Sequence, residues 1–317
     1  MTLLYMDEKF LLHDTGDHPE CPMRLKRVHA MLQKSDLLPQ VTQVETVRAR
    51  DADLTAVHST DHLQAVREFV EAGGGRIEND TVVSPDSADV AWLAAGTGLD
   101  ATKRVIAGDD RQALCLVRPP GHHALPDKPM GFCLLSNVSI AARAAVQQLG
   151  MNRVLIVDWD VHHGNGTQDV FYEDEQVTFF SAHRFPFYPG TGRKWETGRG
   201  PGLGTTVNLP LQFGVSRKEY LTAFENALTK AADACRPDVV FISAGFDAHA
   251  EDPIGSLGLQ TEDFETLTEL VLQVADTHAN GRVVSLLEGG YHVDRLADCV
   301  ELHLRTLCAA ATDRGRP

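Results

Sequence analysis

The sequence predicts one α/β domain built on a mostly parallel β-sheet that helices cover on both faces. Short apolar stretches alternate along the chain with longer segments in which apolar residues recur at helical spacing. Each apolar stretch is followed by polar or glycine-rich residues, and ligands of parallel sheets bind beyond the carboxyl ends of the strands. The chain has 317 residues, 43% hydrophobic and 23% charged, which suits a single domain over residues 1–317 and shows no signature of disorder.

The charge balance is acidic. Lys and Arg number 29 against 44 for Asp and Glu, a formal net charge of −15, and no basic run stands out. We therefore expect no direct binding of nucleic acid, whereas a cationic substrate would be attracted to the surface. The amino terminus has no basic stretch followed by an apolar run, and no apolar segment approaches membrane-spanning length, so we expect a cytoplasmic protein without membrane contact.

The cysteines give no sign of cross-linking. All six are scattered and none forms a C-x-x-C pair. Four lie in apolar surroundings, which is typical of reduced and packed thiols. Neither a disulfide framework nor a cysteine zinc site is expected.

The chain begins with a predicted strand over residues 2–6, followed by a polar, proline-punctuated loop over residues 14–22. Pro22 suits the first turn of a helix that continues to about Gln33. Arg24 lies in that first turn, where a cation is unfavourable for the helix dipole. Either an anion or a group of carbonyls holds this arginine, which makes it a candidate for lining an inner cavity, or it is simply solvated.

The later elements follow a strand-then-helix order. The three glycines of residues 73–75 predict a flexible segment, and residues 80–87 predict a polar loop. We predict helices over residues 51–57, 60–72, 86–107, 216–234 and 261–278, and strands over residues 113–117, 153–157, 177–180, 238–242 and 283–287.

The most informative stretch follows the apolar residues 154–157. Strand periodicity predicts that Asp158, Asp160 and His162 point to one side, while Trp159 and Val161 point to the other. Carboxylate and imidazole ligands together suit zinc, and a catalytic zinc ion keeps three protein ligands and one open position. The alternative is that the aspartates cap the next helix and the histidines are ordinary polar residues.

Three further strand ends carry candidate chemistry. His122 and His123 follow a Pro-Pro-Gly turn and can serve as a base and acid pair, although surface histidines are the alternative. Asp247 can supply a third metal ligand. Tyr291 follows Gly289 and Gly290, which let the backbone approach the site, so its hydroxyl can donate to an oxyanion; taken alone, it would be read as a structural residue. Together these groups suit metal-assisted hydrolysis of an amide.

Four segments carry a resemblance to a known family. They are Arg-Pro-Pro-Gly-His-His (118–123), Asp-Trp-Asp-Val-His-His-Gly-Asn-Gly (158–166), Ser-Ala-Gly-Phe-Asp (243–247) and Leu-Glu-Gly-Gly-Tyr (287–291). In this order they resemble the zinc-dependent histone deacetylase family, including its bacterial deacetylase-like amidohydrolases, and the likeness extends from His18 to the last helix. The resemblance implies the arginase/deacetylase fold, an eight-stranded parallel sheet flanked by helices.

The resemblance also implies roles for individual residues. Asn165 and the sequence motif around it resemble the class II branch of the family. As a neutral partner, Asn165 should raise the pKa of His123 less than a carboxylate would. The implied roles are one zinc ion bound by Asp160, His162 and Asp247, a general base and acid pair of His122 and His123, a carbonyl-polarising Tyr291, and Asp158 and Asn165 as partners of His122 and His123.

Two more sites come from the same resemblance. A structural K⁺ or Na⁺ ion would bind the main-chain carbonyls of Asp158, Asp160, His162 and Ala182 together with the Ser181 hydroxyl. Gly131, Phe132 and Tyr188 would line an acyl-lysine tunnel, with Tyr188 in place of the commoner phenylalanine, and Ile254 would lie at its rim. The expected substrate is an acylated lysine peptide or protein, or an acetylated small amine.

Three alternative functions stay open. An acetylpolyamine amidohydrolase would suit the negative charge, but family members of that kind place a glutamate at the position of Ile254. An arginase-like ureohydrolase needs a second metal held by an aspartate two residues beyond Asp247, where this chain has His249. A non-catalytic acyl-ligand binding protein would be expected to lack the oxyanion donor, and Tyr291 is present.

Overall fold

The central sheet consists of parallel strands whose apolar side chains are buried on both faces. The computed structural model describes residues 1–313. Its strands are β1 (Thr2–Tyr5), β2 (Val41–Val44), β3 (Gly75–Glu78), β4 (Thr81–Val83), β5 (Gln112–Cys115), β6 (Val154–Asp158), β7 (Val177–Arg184), β8 (Thr206–Leu211), β9 (Val239–Ala244) and β10 (Val283–Leu287). Its helices are α1 (Met23–Leu32), α2 (Asp51–Leu54), α3 (Thr60–Glu71), α4 (Ser87–Ala107), α5 (Asn137–Gln147), α6 (Asn165–Phe171), α7 (Arg217–Cys235), α8 (Thr261–His278) and α9 (Val293–Asp313).

Eight of these strands form one sheet in the order β2-β1-β5-β10-β9-β6-β7-β8 over the described residues. Every neighbouring pair in it is parallel. Helices α4 and α5 pack against each other, and α1 and α8 both pack against α9. The predicted α/β domain with an eight-stranded parallel sheet flanked by helices is therefore confirmed.

The strand order of the sheet determines which of the sequence motifs lie close together. Strands β5, β10, β9 and β6 are consecutive, so the segments that follow their carboxyl ends emerge side by side. In register, Asp158 at the end of β6 pairs with Ser243 of β9 and with Ser181 of β7. The four motifs of the sequence are thus brought to one edge of the sheet.

Some predicted boundaries are wrong, and the errors lie at the margins. The predicted polar loop over residues 80–87 contains β4, which forms an antiparallel hairpin with β3. Edge strands β2 and β8 were not predicted. Each pairs on one side only; β2 carries exposed polar residues, and β8 contains a proline and several partly exposed positions. Strand β7 continues to Arg184 rather than residue 180, because it pairs with β8 as far as Leu211. Helix α2 ends at Leu54 instead of residue 57.

Two further observations concern the cysteines and the helices of the described residues. None of the six cysteines forms a disulfide bond in the described part of the chain, and Cys115, Cys133, Cys299 and Cys308 are buried. Within residues 1–313, no helix combines the length and the apolar character that crossing a membrane requires.

Two buried histidines are held in the neutral form. His58 Nε2 accepts the main-chain N–H of Ser136 at 2.9 Å, which requires an unprotonated nitrogen. Burial, with a smaller contribution from His62, lowers the pKa of His58 to about 3. Burial also lowers the pKa of His303 to about 3, and its ring lies between the hydroxyls of Thr268 and Ser285.

We expect these histidines to make the protein acid-sensitive. Their ordinary pKa is near 6.5, so the unfolded chain binds protons that the folded chain rejects, and stability falls as pH decreases below that value. Between pH 7 and pH 5 each histidine should cost about 2 kcal/mol of the free energy of unfolding. Urea unfolding at both pH values measures the loss.

The His303→Gln variant is the control for this expectation. It should lose about 2 kcal/mol less than the parent between pH 7 and pH 5, because one proton-binding site is gone in the unfolded chain. Any metal release at acid pH affects both proteins equally and cancels in the comparison. The same decrease in both proteins would contradict the assignment.

Candidate active site

Three potential metal ligands meet where the segments after β6 and β9 come together. The ligand atoms of Asp160, His162 and Asp247 all lie within 4.8 Å of one another, and all three residues are buried. Main-chain groups position the carboxylates: Val161 N–H donates to Asp247 Oδ1 at 2.8 Å, and Gly289 N–H donates to Asp160 Oδ2 at 2.9 Å. The segments after β6, β9 and β10 thus contribute to one centre.

The local geometry behind this cluster differs from the strand periodicity used to predict it. Strand β6 ends at Asp158, and the chain then turns. Asp160 N–H donates to Asp158 Oδ1 at 3.1 Å, and His162 N–H donates to Asp160 Oδ1 at 2.9 Å. These side-chain-to-backbone bonds replace the strand ladder. The prediction that strand periodicity places Asp158, Asp160 and His162 on one face is therefore wrong. The turn after β6 brings Asp160 and His162 together, and Asp158 contacts His122 instead of joining the ligand group.

The aspartates do not cap the following helix. Helix α6 begins at Asn165 after Gly164, and no side chain caps its first turn. That alternative from the sequence is wrong.

The ligand group fits a divalent cation. Asp247 Oδ2 is buried and has no hydrogen-bond partner among the described residues, although it lies 3.1 Å from His162 Nδ1. Burial and the neighbouring charge of Asp160 raise the pKa of Asp247 to about 7. Two buried carboxylates beside an imidazole are costly unless a cation neutralises them. Oxygen and nitrogen donors of this kind match the ligands of zinc.

Two glycines make room for the carboxylates. A Cβ atom on Gly245 would approach Asp160 Oδ2 to 2.1 Å, and one on Gly289 would approach Asp247 Oδ2 to 2.4 Å. Only a residue without a side chain allows both strands to approach the centre this closely.

The two adjacent histidines lie next to the ligand group with unequal partners. Their ring centroids are 4.0 Å apart. His122 Nδ1 lies 2.9 Å from Asp158 Oδ2, and His123 Nδ1 lies 2.7 Å from Asn165 Oδ1. Burial disfavours the charged form of both rings, but the charges of Asp158 and Asp160 outweigh it and raise the pKa of His122 well above its usual range. Burial and the neighbouring histidines lower the pKa of His123 well below it.

A cavity of about 210 Å³ leads to this group. Gly131, Phe132, Tyr188 and Ile254 line it together with Tyr291, as do His123 and His162 at its inner end. The Phe132 and Tyr291 rings meet edge to face at 5.7 Å. Phe187, which was not predicted, stacks on His162 at 5.2 Å with the planes 16° apart. Its signal in the sequence was its position directly before Tyr188.

Arg24 is fully buried, so the solvated alternative is wrong. Its Nη1 donates to Glu20 Oε1 at 2.9 Å, its Nε to the Gly290 carbonyl at 2.6 Å and its Nη2 to the Glu288 carbonyl at 2.5 Å. The sequence analysis expected either an anion or a group of carbonyls to hold Arg24, and the structure shows both. An inner cavity beside Arg24 stays a prediction.

Three buried acidic residues escaped the sequence analysis. Glu288 accepts the N–H groups of Gly121 and His122 at 2.6 and 3.2 Å, and burial raises its pKa to about 7. Asp252 Oδ2 accepts the Tyr291 N–H at 2.7 Å. Glu20 binds two arginines. Glu288 lies within the Leu-Glu-Gly-Gly-Tyr segment, but residue type and spacing do not reveal the roles of these carboxylates, because they bind main-chain groups or, for Glu20, the remote Arg118 as well as Arg24.

Comparisons with known proteins match most of this chain. A family model described as "Histone deacetylase domain" matches residues 18–307. The histone deacetylase-like amidohydrolase of Pseudomonas aeruginosa is 37% identical over 277 residues, which cover 86% of this chain and 72% of that protein. The probable deacetylase of Archaeoglobus fulgidus is 36% identical over 297 residues, or 93% of this chain and 82% of that protein. A crystal structure of the HDA15 HD domain matches with a TM-score of 0.92 and 36% identity over 98% of this chain and 89% of that chain.

Proposed function

The chain belongs to the histone deacetylase family, and on that premise we propose that it is a zinc-dependent amidohydrolase that removes the acyl group from N-acyl-lysine. The observation that carries the proposal is the buried group of Asp160, His162 and Asp247 beside two histidines at the inner end of a mostly apolar tunnel. The tunnel suits the uncharged side chain of an acylated lysine, and the acidic surface suits the cationic residues around it.

Each catalytic group has a distinct part in this proposal. Zinc bound to the three ligands would act as a Lewis acid toward the scissile carbonyl and lower the pKa of a water molecule. His122 and His123 move the protons at their Nε2 atoms: one ring takes a proton from the attacking water, and the other gives one to the leaving amine. Asp158 and Asn165 hold the rings at Nδ1 and fix which nitrogen faces the substrate. Tyr291 donates its hydroxyl to the developing oxyanion.

A structural K⁺ or Na⁺ ion belongs to the same proposal. Five residues are predicted to supply its oxygen ligands: Asp158, Asp160, His162, Ser181 and Ala182. The β6–β7 pairing places two of them, Asp158 and Ser181, side by side. Such an ion would hold the ends of these strands together beneath the zinc ligands. A cytoplasmic location stays a prediction from the sequence.

The other functions are less favoured. Ile254 is 37% exposed at the tunnel rim, and an isoleucine there offers no charge to a second amine of a polyamine. At the position where an arginase-like enzyme needs an aspartate, His249 Nδ1 accepts the Glu251 N–H at 3.1 Å. A pure binding protein would not need the paired histidines.

Comparing initial rates on an acetyl-lysine peptide, longer acyl-lysine peptides and acetylated polyamines tests the proposal. We expect the acetyl-lysine peptide to give a kcat/KM at least about tenfold above that of the polyamines, because the rim lacks a charge for the second amine. A preference for polyamines would replace the lysine proposal with its alternative. Absence of amide hydrolysis on all three, with zinc bound, would favour the binding protein.

A further inference from the structure

A buried charge cluster lies behind the tunnel and outside its lining. Glu20, Arg24 and Arg118 are each at most 1% exposed. Glu20 Oε1 accepts Arg118 Nε at 2.5 Å and Arg24 Nη1 at 2.9 Å, and Oε2 accepts Arg118 Nη2 at 2.8 Å. One carboxylate therefore serves two guanidinium groups, and the pKa of Glu20 is held well below its usual range because their charges outweigh its burial.

Arg118 fixes the orientation of this carboxylate. Its remaining donors bind main-chain carbonyls: Nη1 donates to Phe10 at 3.0 Å and Nη2 to His13 at 3.1 Å. The fork of Arg118 thus ties Glu20 to the segment after β1 and to the loop that leads to His122. A bidentate contact of this kind sets direction as well as distance.

Arg24 connects Glu20 to the loop that carries Tyr291. Its two other donors bind the carbonyls of Glu288 and Gly290, which flank Gly289 and lie just before the tyrosine. Gly290 has φ +122°, a backbone conformation that a residue with a side chain rarely adopts. The Arg24 guanidinium also lies 5.1 Å from the centre of the Tyr291 ring.

The N–H side of the same loop is held by other groups. Gly289 N–H binds Asp160, and Tyr291 N–H binds Asp252. Each of these N–H groups shares a planar peptide unit with the carbonyl of the preceding residue, so the 288–289 and 290–291 peptide units are each held on the N–H side by a carboxylate and on the carbonyl side by Arg24. Arg24 restrains both carbonyls, and Glu20 holds Arg24 in place.

We propose that Glu20 is a positioning residue for the deacylation reaction: with Arg118 it holds Arg24 against the carbonyls of Glu288 and Gly290 and thereby places the Tyr291 hydroxyl over the candidate metal centre. The inference rests on the proposed function. Loss of Glu20 should therefore lower kcat through Tyr291. A residue that only stabilised the fold would not have this effect.

Two variants break this connection in different ways. Glu20→Gln keeps the shape of the side chain but leaves two buried guanidinium groups without an anion. The double variant Glu20→Met with Arg118→Met also removes the carboxylate, yet leaves a single buried cation, the same net charge as in the parent cluster. Replacing a buried ion pair by apolar residues of similar size often preserves stability.

The matched control is Asp263→Asn. Asp263 is another buried carboxylate that accepts two bonds from one arginine, Arg217, but it lies at the start of α8 away from the tunnel. It should lose stability without losing kcat when assayed below its melting temperature.

The expected result is a loss in kcat of about 10- to 100-fold for both Glu20 variants, because a misplacement near 1 Å carries that order of penalty. Their KM should stay within about threefold of the parent, with one zinc ion per chain. In a Tyr291→Phe background the same changes should alter kcat by less than about threefold, since the hydroxyl through which they act is gone. A crystal structure of the double variant should show residues 288–291 displaced.

Other outcomes overturn the inference. An unchanged kcat in a folded variant, or an equal fold-loss with and without the Tyr291 hydroxyl, would show that Glu20 does not act through Tyr291. Failure of both Glu20 variants to fold, with Asp263→Asn folded, would assign Glu20 to stability. If the parent hydrolyses no amide, the proposed function fails, and the position of residues 288–291 in the crystal structure still decides whether Glu20 places the loop.

Discussion

Tyr291→Phe is expected to lower kcat on an acetyl-lysine peptide by about 10²- to 10³-fold, the usual cost of removing one oxyanion donor. In the proposed mechanism the hydroxyl acts where charge develops in the transition state, so KM should change little. Burial, together with the charges of Asp247 and Asp160, raises the pKa of Tyr291 well above its usual range, and the phenol therefore keeps its proton throughout the working pH range. The measurement is steady-state kinetics with zinc content determined on the same sample.

The matched control for this variant is Tyr220→Phe. Tyr220 is fully buried, and its hydroxyl has no hydrogen-bond partner among the described residues. Its phenol feels the charges of Asp158, Asp247 and Asp160 but does not line the tunnel, so removing it tests the effect of deleting a buried phenol near the same carboxylates. It should retain the kcat of the parent. A Tyr291→Phe enzyme within a few-fold of the parent would make the tyrosine a structural residue.

Removal of the metal is expected to have an effect of similar or greater size. Lewis-acid stabilisation contributes several kcal/mol, so dialysis against a chelator should lower the rate roughly 10³-fold or more, and one equivalent of zinc per chain should restore it. Asp247→Asn should weaken zinc binding, because its Oδ2 atom is a buried acceptor without a protein donor among the described residues. Elemental analysis measures the zinc content per chain, and a zinc titration monitored by activity measures the zinc affinity of the parent and of the variant.

The His249→Gln variant separates one metal from two. It should retain one zinc per chain and most of the activity, since His249 is not part of the ligand group of Asp160, His162 and Asp247. Two metal equivalents in the parent, one of them lost in this variant, would contradict a mononuclear centre.

The sequence predicts the central strands well and the edges poorly, for a physical reason. Strands β9 and β10 are buried on both faces and read as continuous apolar runs, which have few other interpretations. The edge strand β2 has the partly exposed pattern of Val-Thr-Gln-Val, and β8 contains a proline. Such segments become strands because a neighbour offers a free edge, and that information lies elsewhere in the chain.

The candidate site divides in the same way. Asp160, His162 and Asp247 have recognisable neighbours in the sequence, and the structure brings their side chains together. Glu20 and Asp252 do not, because Glu20 binds the remote Arg118 as well as the nearby Arg24, and Asp252 binds the distant main-chain N–H of Tyr291. Patterns of residue type identify the groups that can do chemistry, whereas the groups that hold them follow from the tertiary fold.

The placement of the ligand group also bears on the order of events during folding. Its members lie on segments that follow β6 and β9, and Tyr291 follows β10, so the shortest continuous fragment that contains them all is residues 160–291. Parallel strands must pair over long sequence separations before these segments meet. Uptake of the proposed zinc ion would therefore report the assembly of the middle of the sheet, and a refolding experiment that follows metal capture would time that step separately from helix formation.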